Sequence, residues 1–75
     1  MIESVAYDAY ADRFIAVGGQ GQVSVISAAA LAANAEWQTV TNTGFAADET
    51  ITAAIALSST KILLAGPGKF AIVTP

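Results

Sequence analysis

The side chains able to do chemistry are few. The chain has no His and no Cys, so Ser–His and Cys–His nucleophile pairs are absent, and imidazole or thiolate metal sites are excluded. Carboxylates remain. Asp48-Glu49 is the only adjacent acidic pair. In an extended chain these two side chains point to opposite sides, which is poor geometry for a glycosidase pair or a shared metal; the pair reads as part of a solvated loop. Asp8 and Asp12 flank an early reversal. They could join carbonyl oxygens around a hard cation, but they read first as residues that keep a sheet edge soluble. Gly18-Gly19-Gln20-Gly21 would cradle a phosphate only if a helix followed. The residues after it alternate like a strand, so it reads as a hairpin loop. Trp37, the lone tryptophan, reads first as a residue packed between repeat units, and it is also the one best suited to stack on a sugar. Arg13 and Lys61 follow equivalent turns. They read as edge-solubilising residues that could meet an acidic partner if several copies came together. No catalytic residue, metal ligand or cofactor site is assigned.

The elements that must position these residues are short. Apolar runs separated by turn signals are the pattern of an all-β protein. A first strand is expected near residues 4–10, where Val5, Tyr7 and Ala9 alternate with Ala6 and Asp8. A tight reversal at Ala11-Asp12 leads to residues 14–17, apolar on both faces as in a strand between two layers. Residues 22–27 alternate, with Val23 and Val25 on one face. Residues 28–35, AAALAANA, favour one or two helical turns with Ser27 as N-cap. Residues 37–41 are rich in β-branched and aromatic types, as strands are. A second cycle runs through 51–57, a turn at 58–60, a strand at 61–65, a hairpin at Gly66-Pro67-Gly68 and a last strand at 69–74.

That second cycle nearly repeats the first. Arg13-Phe14-Ile15-Ala16-Val17-Gly18 lies over Lys61-Ile62-Leu63-Leu64-Ala65-Gly66 at an offset of 48 residues, and 22–27 lies over 69–74 at an offset of 47. Repeat one spans 4–43 and repeat two 51–75, within one domain. The counterpart of the Trp37 strand is missing from repeat two. Periods of roughly 40–50 residues are typical of stacked repeats that cannot bury their apolar faces alone.

Composition limits the partners. The chain of 75 residues is 55% hydrophobic and 12% charged, against about 25% charged in an ordinary domain, as expected when part of the surface is covered by other copies or a larger particle. A net charge of −3 with three basic residues argues against binding nucleic acid. No signal peptide is visible at the N-terminus. The uncharged stretch from residue 14 to 35 is broken by glycines and glutamines, so no membrane span is expected.

The motifs resemble the repeats of bacterial and phage β-propellers of the sialidase-like (BNR, or Asp-box-like) kind. The residues that carry the likeness are Val5-Ala6-Tyr7, Arg13-Phe14-Ile15-Ala16-Val17-Gly18, Gly21, Val23, Ser27, Trp37, Val40, Thr43-Gly44-Phe45 and Ile51, nearly the whole chain. The Asp-box itself is not intact: Ser27 and Trp37 are ten residues apart with an alanine run between them. A sialidase arginine triad has no place in a chain with one arginine, so the enzymatic part of the resemblance does not carry over.

The resemblance and the repeats together imply an all-β fold of two propeller-blade-like antiparallel units, about seven strands, completed by oligomerisation. A trimer of two-blade subunits is the simplest closed ring. A single small barrel or sandwich burying its two sheets against each other is the alternative, and the chain could also be a piece of a longer propeller. The function expected is non-enzymatic: a phage virion accessory or decoration subunit, located in the virion or the cytoplasm, whose partners are itself or a larger assembly. A small oligomeric lectin is the alternative. The residues expected at a ligand site or interface are Trp37 and, at the unfinished end of repeat two, Lys69, Phe70 and Ile72.

Overall fold

A computed structural model describes all of residues 1–75. The fold is all-β with one short helix: β1 (Ile2–Asp8), β2 (Arg13–Gly18), β3 (Val23–Ser27), α1 (Ala28–Ala32), β4 (Gln38–Val40), β5 (Ala53–Ala56), β6 (Ile62–Gly66) and β7 (Lys69–Val73). The strands form two antiparallel meanders, β1-β2-β3-β4 and β5-β6-β7. Strand β1 begins and ends two residues earlier than expected, which places Ala9 and Tyr10 in the turn. Sheet two has no fourth strand, so β7 is its free edge.

Local chemistry accounts for the boundaries. Ser27 caps α1, its Oγ accepting from the Ala30 N–H at 3.1 Å, the expected N-cap bond. Asn34 ends the helix with φ of 58°, while the Ala35 N–H donates back to the Ala30 carbonyl, as in helix ends closed by a left-handed residue. Pro67 and Gly68 fill the two-residue turn between Gly66 and Lys69, with Gly68 at φ of 68°. That is the type II pattern, which wants Pro first and Gly second.

The core lies between the sheets. Sheet one contributes Ile15, Val17 and Val23, and sheet two contributes Ala54, Ile62, Leu64 and Val73, with Ile51 of the connecting segment between them. Val25 and Val40 pack alongside, so Val23 and Val25 share a face as their alternation predicts. The two sheets therefore bury a face each within one chain.

The ladders refine the repeat. Val17 and Ala65 are equivalent centres, paired with Ser4 and Val23 in sheet one and with Ala53 and Phe70 in sheet two. The offset is thus 49 across β1 and β5, 48 across β2 and β6, and 47 across β3 and β7. Each turn of repeat two is one residue shorter, and Leu57 stands where Asp8 does. This equivalence also fixes how the sheets meet. Ile15, Val17 and Val23 face the core, whereas their counterparts Leu63, Ala65 and Phe70 lie on the opposite face of sheet two. Conversely, Ile62, Leu64 and Val73 face the core, and their counterparts Phe14, Ala16 and Ile26 lie on the outer face of sheet one. The sheets pack front to back, not front to front.

Candidate functional site

Asp8 is fully buried, which corrects its reading as a solubilising edge residue. One carboxylate oxygen accepts the N–H groups of Tyr10 at 2.9 Å and Ala11 at 3.2 Å. The other accepts Arg13 Nε at 2.8 Å. This closes the first turn as an Asx-type reversal and draws Arg13, whose side chain is only 16% exposed, out of its expected role on a wet edge. Arg13 Nη2 is buried with no hydrogen-bond partner. The signal for this pair was an acid at an apolar-patterned strand end, with a base five residues on across a tight turn. In repeat two the turn uses Ser58, whose Oγ accepts the Thr60 N–H at 3.2 Å, and Lys61 stays exposed as expected. Asp12 does lie at the surface, where its carboxylate accepts the Tyr7 hydroxyl at 2.6 Å. That bond, followed by desolvation and the negative charge nearby, raises the Tyr7 pKa above its usual value of 10.0.

The connecting segment clamps both hairpins. Thr43 is buried and donates its hydroxyl to the Gly21 carbonyl at 3.4 Å, while the Phe45 N–H donates to Thr43 Oγ1 at 3.3 Å. Gly21 adopts φ of 62°, and a Cβ there would come within 2.7 Å of the Ala46 carbonyl oxygen. Only glycine serves both needs. Glu49 is half-buried rather than freely solvated. It accepts the Ala46 N–H at 2.6 Å and Lys69 Nζ at 2.7 Å. The backbone N–H first, and the Lys69 ammonium second, hold its pKa below the usual 4.5. Lys69 also sits 4.9 Å above the Phe45 ring centroid, within cation–π range.

The four residues expected at a site are not brought together. Lys69 is engaged within the chain. Trp37, 36% exposed, flanks β4 and lines a shallow cleft of about 260 Å³ with Met1, Ile2, Ala16, Gln22 and Ser24. It lies on the outer face of sheet one, not between the two sheets. Phe70 and Ile72, 72% and 54% exposed, lie on the outer face of sheet two. There the rows Ile55–Leu63–Ile72 and Ala53–Ala65–Phe70 cross the sheet without one polar side chain. The outer face of sheet one carries Val5, Tyr7, Phe14, Ala16 and Ile26, with Ser24 and Thr39 continuing the Val5–Ala16 row. Of these, Ala16 and Ile26 are buried, while Val5 and Tyr7 are exposed. Tyr7 and Phe14 pack with ring centroids 5.3 Å apart. Isolated exposed apolar residues are ordinary, but a contiguous apolar face rimmed by polar turns marks an interaction surface. What this arrangement offers is an apolar platform on the outer face of sheet two and an exposed, mainly apolar strip along β1 on the outer face of sheet one.

No helix is long and apolar enough to cross a membrane. No family model matches the chain, and no curated protein or solved structure matches it either.

Proposed function

We propose that the protein is a non-enzymatic assembly subunit, a phage virion accessory or decoration component that works by docking onto copies of itself or onto a larger particle. The observation that carries this reading is the outer face of sheet two, where two whole rows carry no polar side chain and Ile55, Phe70 and Ile72 are each more than half exposed. A face of that kind stabilises an assembly when covered and is an aggregation hazard when bare. The propeller-like repeat supports the same reading, since repeats stabilise one another through neighbour interfaces, and virion or cytoplasm are the compartments it fits. The test is proteomic. Particles purified from the strain that encodes the chain should contain it in a fixed ratio to their other subunits, and particles that lack it refute the virion role.

A small lectin is the second reading, favoured by Trp37 at the mouth of a cleft beside the polar groups of Gln22 and Ser24. A glycan array combined with titration of Trp37 fluorescence decides it. A response to no sugar ends the lectin reading.

A further inference from the structure

We infer that the chain binds a second copy of itself head to tail, the outer face of sheet two on one copy covering the outer face of sheet one on the next. The inference rests on the reading of the protein as an assembly subunit and names the partner and the surfaces.

Inside the chain, the face of sheet one that carries Ala6, Ile15 and Val17 is buried against the face of sheet two that carries Ala54, Ala56 and Leu64. The counterparts of the first set are Ile55, Leu63 and Ala65, on the uncovered face of sheet two. The counterparts of the second set are Val5, Tyr7 and Ala16, on the outer face of sheet one, where Val5 and Tyr7 are exposed. The molecule therefore ends in one free surface of each kind that its own interior already joins. A front-to-back contact leaves both kinds free again after every addition, so it propagates until it closes into a ring or continues as a filament.

The pattern of exposure agrees in detail. Within the chain, β1 and β5 are the strands that lie closest across the two sheets. The equivalent contact between copies sets the outer face of β5 against the outer face of β1. Those strands carry Ile55 at 59%, Val5 at 55% and Tyr7 at 53% exposed, and β7 extends the sheet-two face with Phe70 and Ile72. The residues of the sheet-one face that the chain covers for itself, Ala16 and Ile26, lie on β2 and β3, and leave the β1 row exposed. The contact centres on apolar side chains from β1 and β5, so it should resist salt.

Two single-face variants test this. Ile55→Lys places a charge on the sheet-two face, and Val5→Lys places the same charge on the sheet-one face. Both positions are exposed, and unchanged urea midpoints at low chain concentration verify that each variant still folds. Native mass spectrometry and light scattering at micromolar concentration read the result. The unaltered chain should exceed the mass of one subunit, and each variant alone should fall to that mass. An equimolar mixture of the two should give a one-to-one dimer and nothing larger, because one intact face of each kind remains. An unaltered chain that stays monomeric overturns the inference. So does a Val5→Lys variant that still self-associates, or a mixture that forms no dimer. A chain that is monomeric alone but present in particles would overturn only this inference and leave the assembly role standing.

Discussion

The pair formed by Asp8 and Arg13 makes the sharpest prediction about what holds the first repeat together. In Asp8→Asn, the side-chain oxygen can keep the Tyr10 and Ala11 N–H groups, but the amide NH₂ then faces Arg13 Nε in place of the carboxylate oxygen 2.8 Å away. Rotating the amide only moves the donor–donor conflict to the turn. Arg13, with 16% of its side chain exposed and Nη2 already unpartnered, keeps its charge without a counterion. Removing one partner of a buried pair costs about 3–5 kcal/mol. A domain of this length is stabilised by roughly 4–11 kcal/mol in total, so Asp8→Asn should remove about half of it. Arg13→Met, which keeps the apolar stem and strands the buried carboxylate, should cost a similar amount. The double variant removes both charges and retains the turn bonds, and replacing both members of a buried pair is often close to neutral. It should therefore be more stable than either single variant, with a coupling energy larger than either single loss, above about 3 kcal/mol. Urea unfolding at one fixed chain concentration, followed by Trp37 fluorescence, measures all four corners. With a slope near the low end for small proteins, about 1 kcal/mol/M, each single change lowers the midpoint by roughly 3–5 M. A loss below about 1 kcal/mol for Asp8→Asn, or a double variant as unstable as the two single losses combined, would refute the reasoning.

Other outcomes follow from the same geometry. Gly21→Ala should destabilise by more than about 1 kcal/mol, because it combines a positive φ with the Ala46 carbonyl oxygen 2.7 Å from the new methyl. Gly19→Ala, with open space around it, should change stability by less than about 0.5 kcal/mol in the same urea titration. Ile51→Ala should cost about 2–5 kcal/mol in thermal or urea unfolding, since Ile51 is fully buried between the sheets although it belongs to no strand. Glu49 has a lowered pKa, so its contribution is present above the unfolded value near 4.5 and disappears as the pH falls through its folded value. Glu49→Gln should flatten that acid limb, as read by urea midpoints across the acid range. Tyr7 has the opposite sign: its raised pKa gives stability present below pH 10.0 and lost as the pH rises through the folded value, and Tyr7→Phe should remove that alkaline loss.

Nearly every element was legible from local chemistry, because strand periodicity, turn residues and the N-cap are decided within a few residues. The glycine hairpins at 18–21 and 66–68, the cap at Ser27, and the strand-rich second cycle form where their residues require them. Which face of each strand turns inward was not legible. Phe14-Ile15-Ala16-Val17 and Ile62-Leu63-Leu64-Ala65 are apolar on both faces, so alternation carries no inside–outside signal, and only the packing of one sheet on the other selects Ile15 and Val17 over Phe14, and Ile62 and Leu64 over Leu63 and Ala65. The candidate residues divide in the same way. Phe70 and Ile72 lie on an exposed face as their place in the unfinished repeat suggested, whereas Lys69 is claimed by Glu49, twenty residues away in sequence. Asp8, an acid in an exposed-looking strand, is buried because the fold brings Arg13 and two backbone N–H groups to it. The sequence alone therefore determined the strands, their turns and their near-duplication, which depend on short-range geometry. The tertiary structure decided that the two copies pack front to back, and so which apolar faces stay bare, because only the docking of the sheets distinguishes two faces that are equally apolar in the chain.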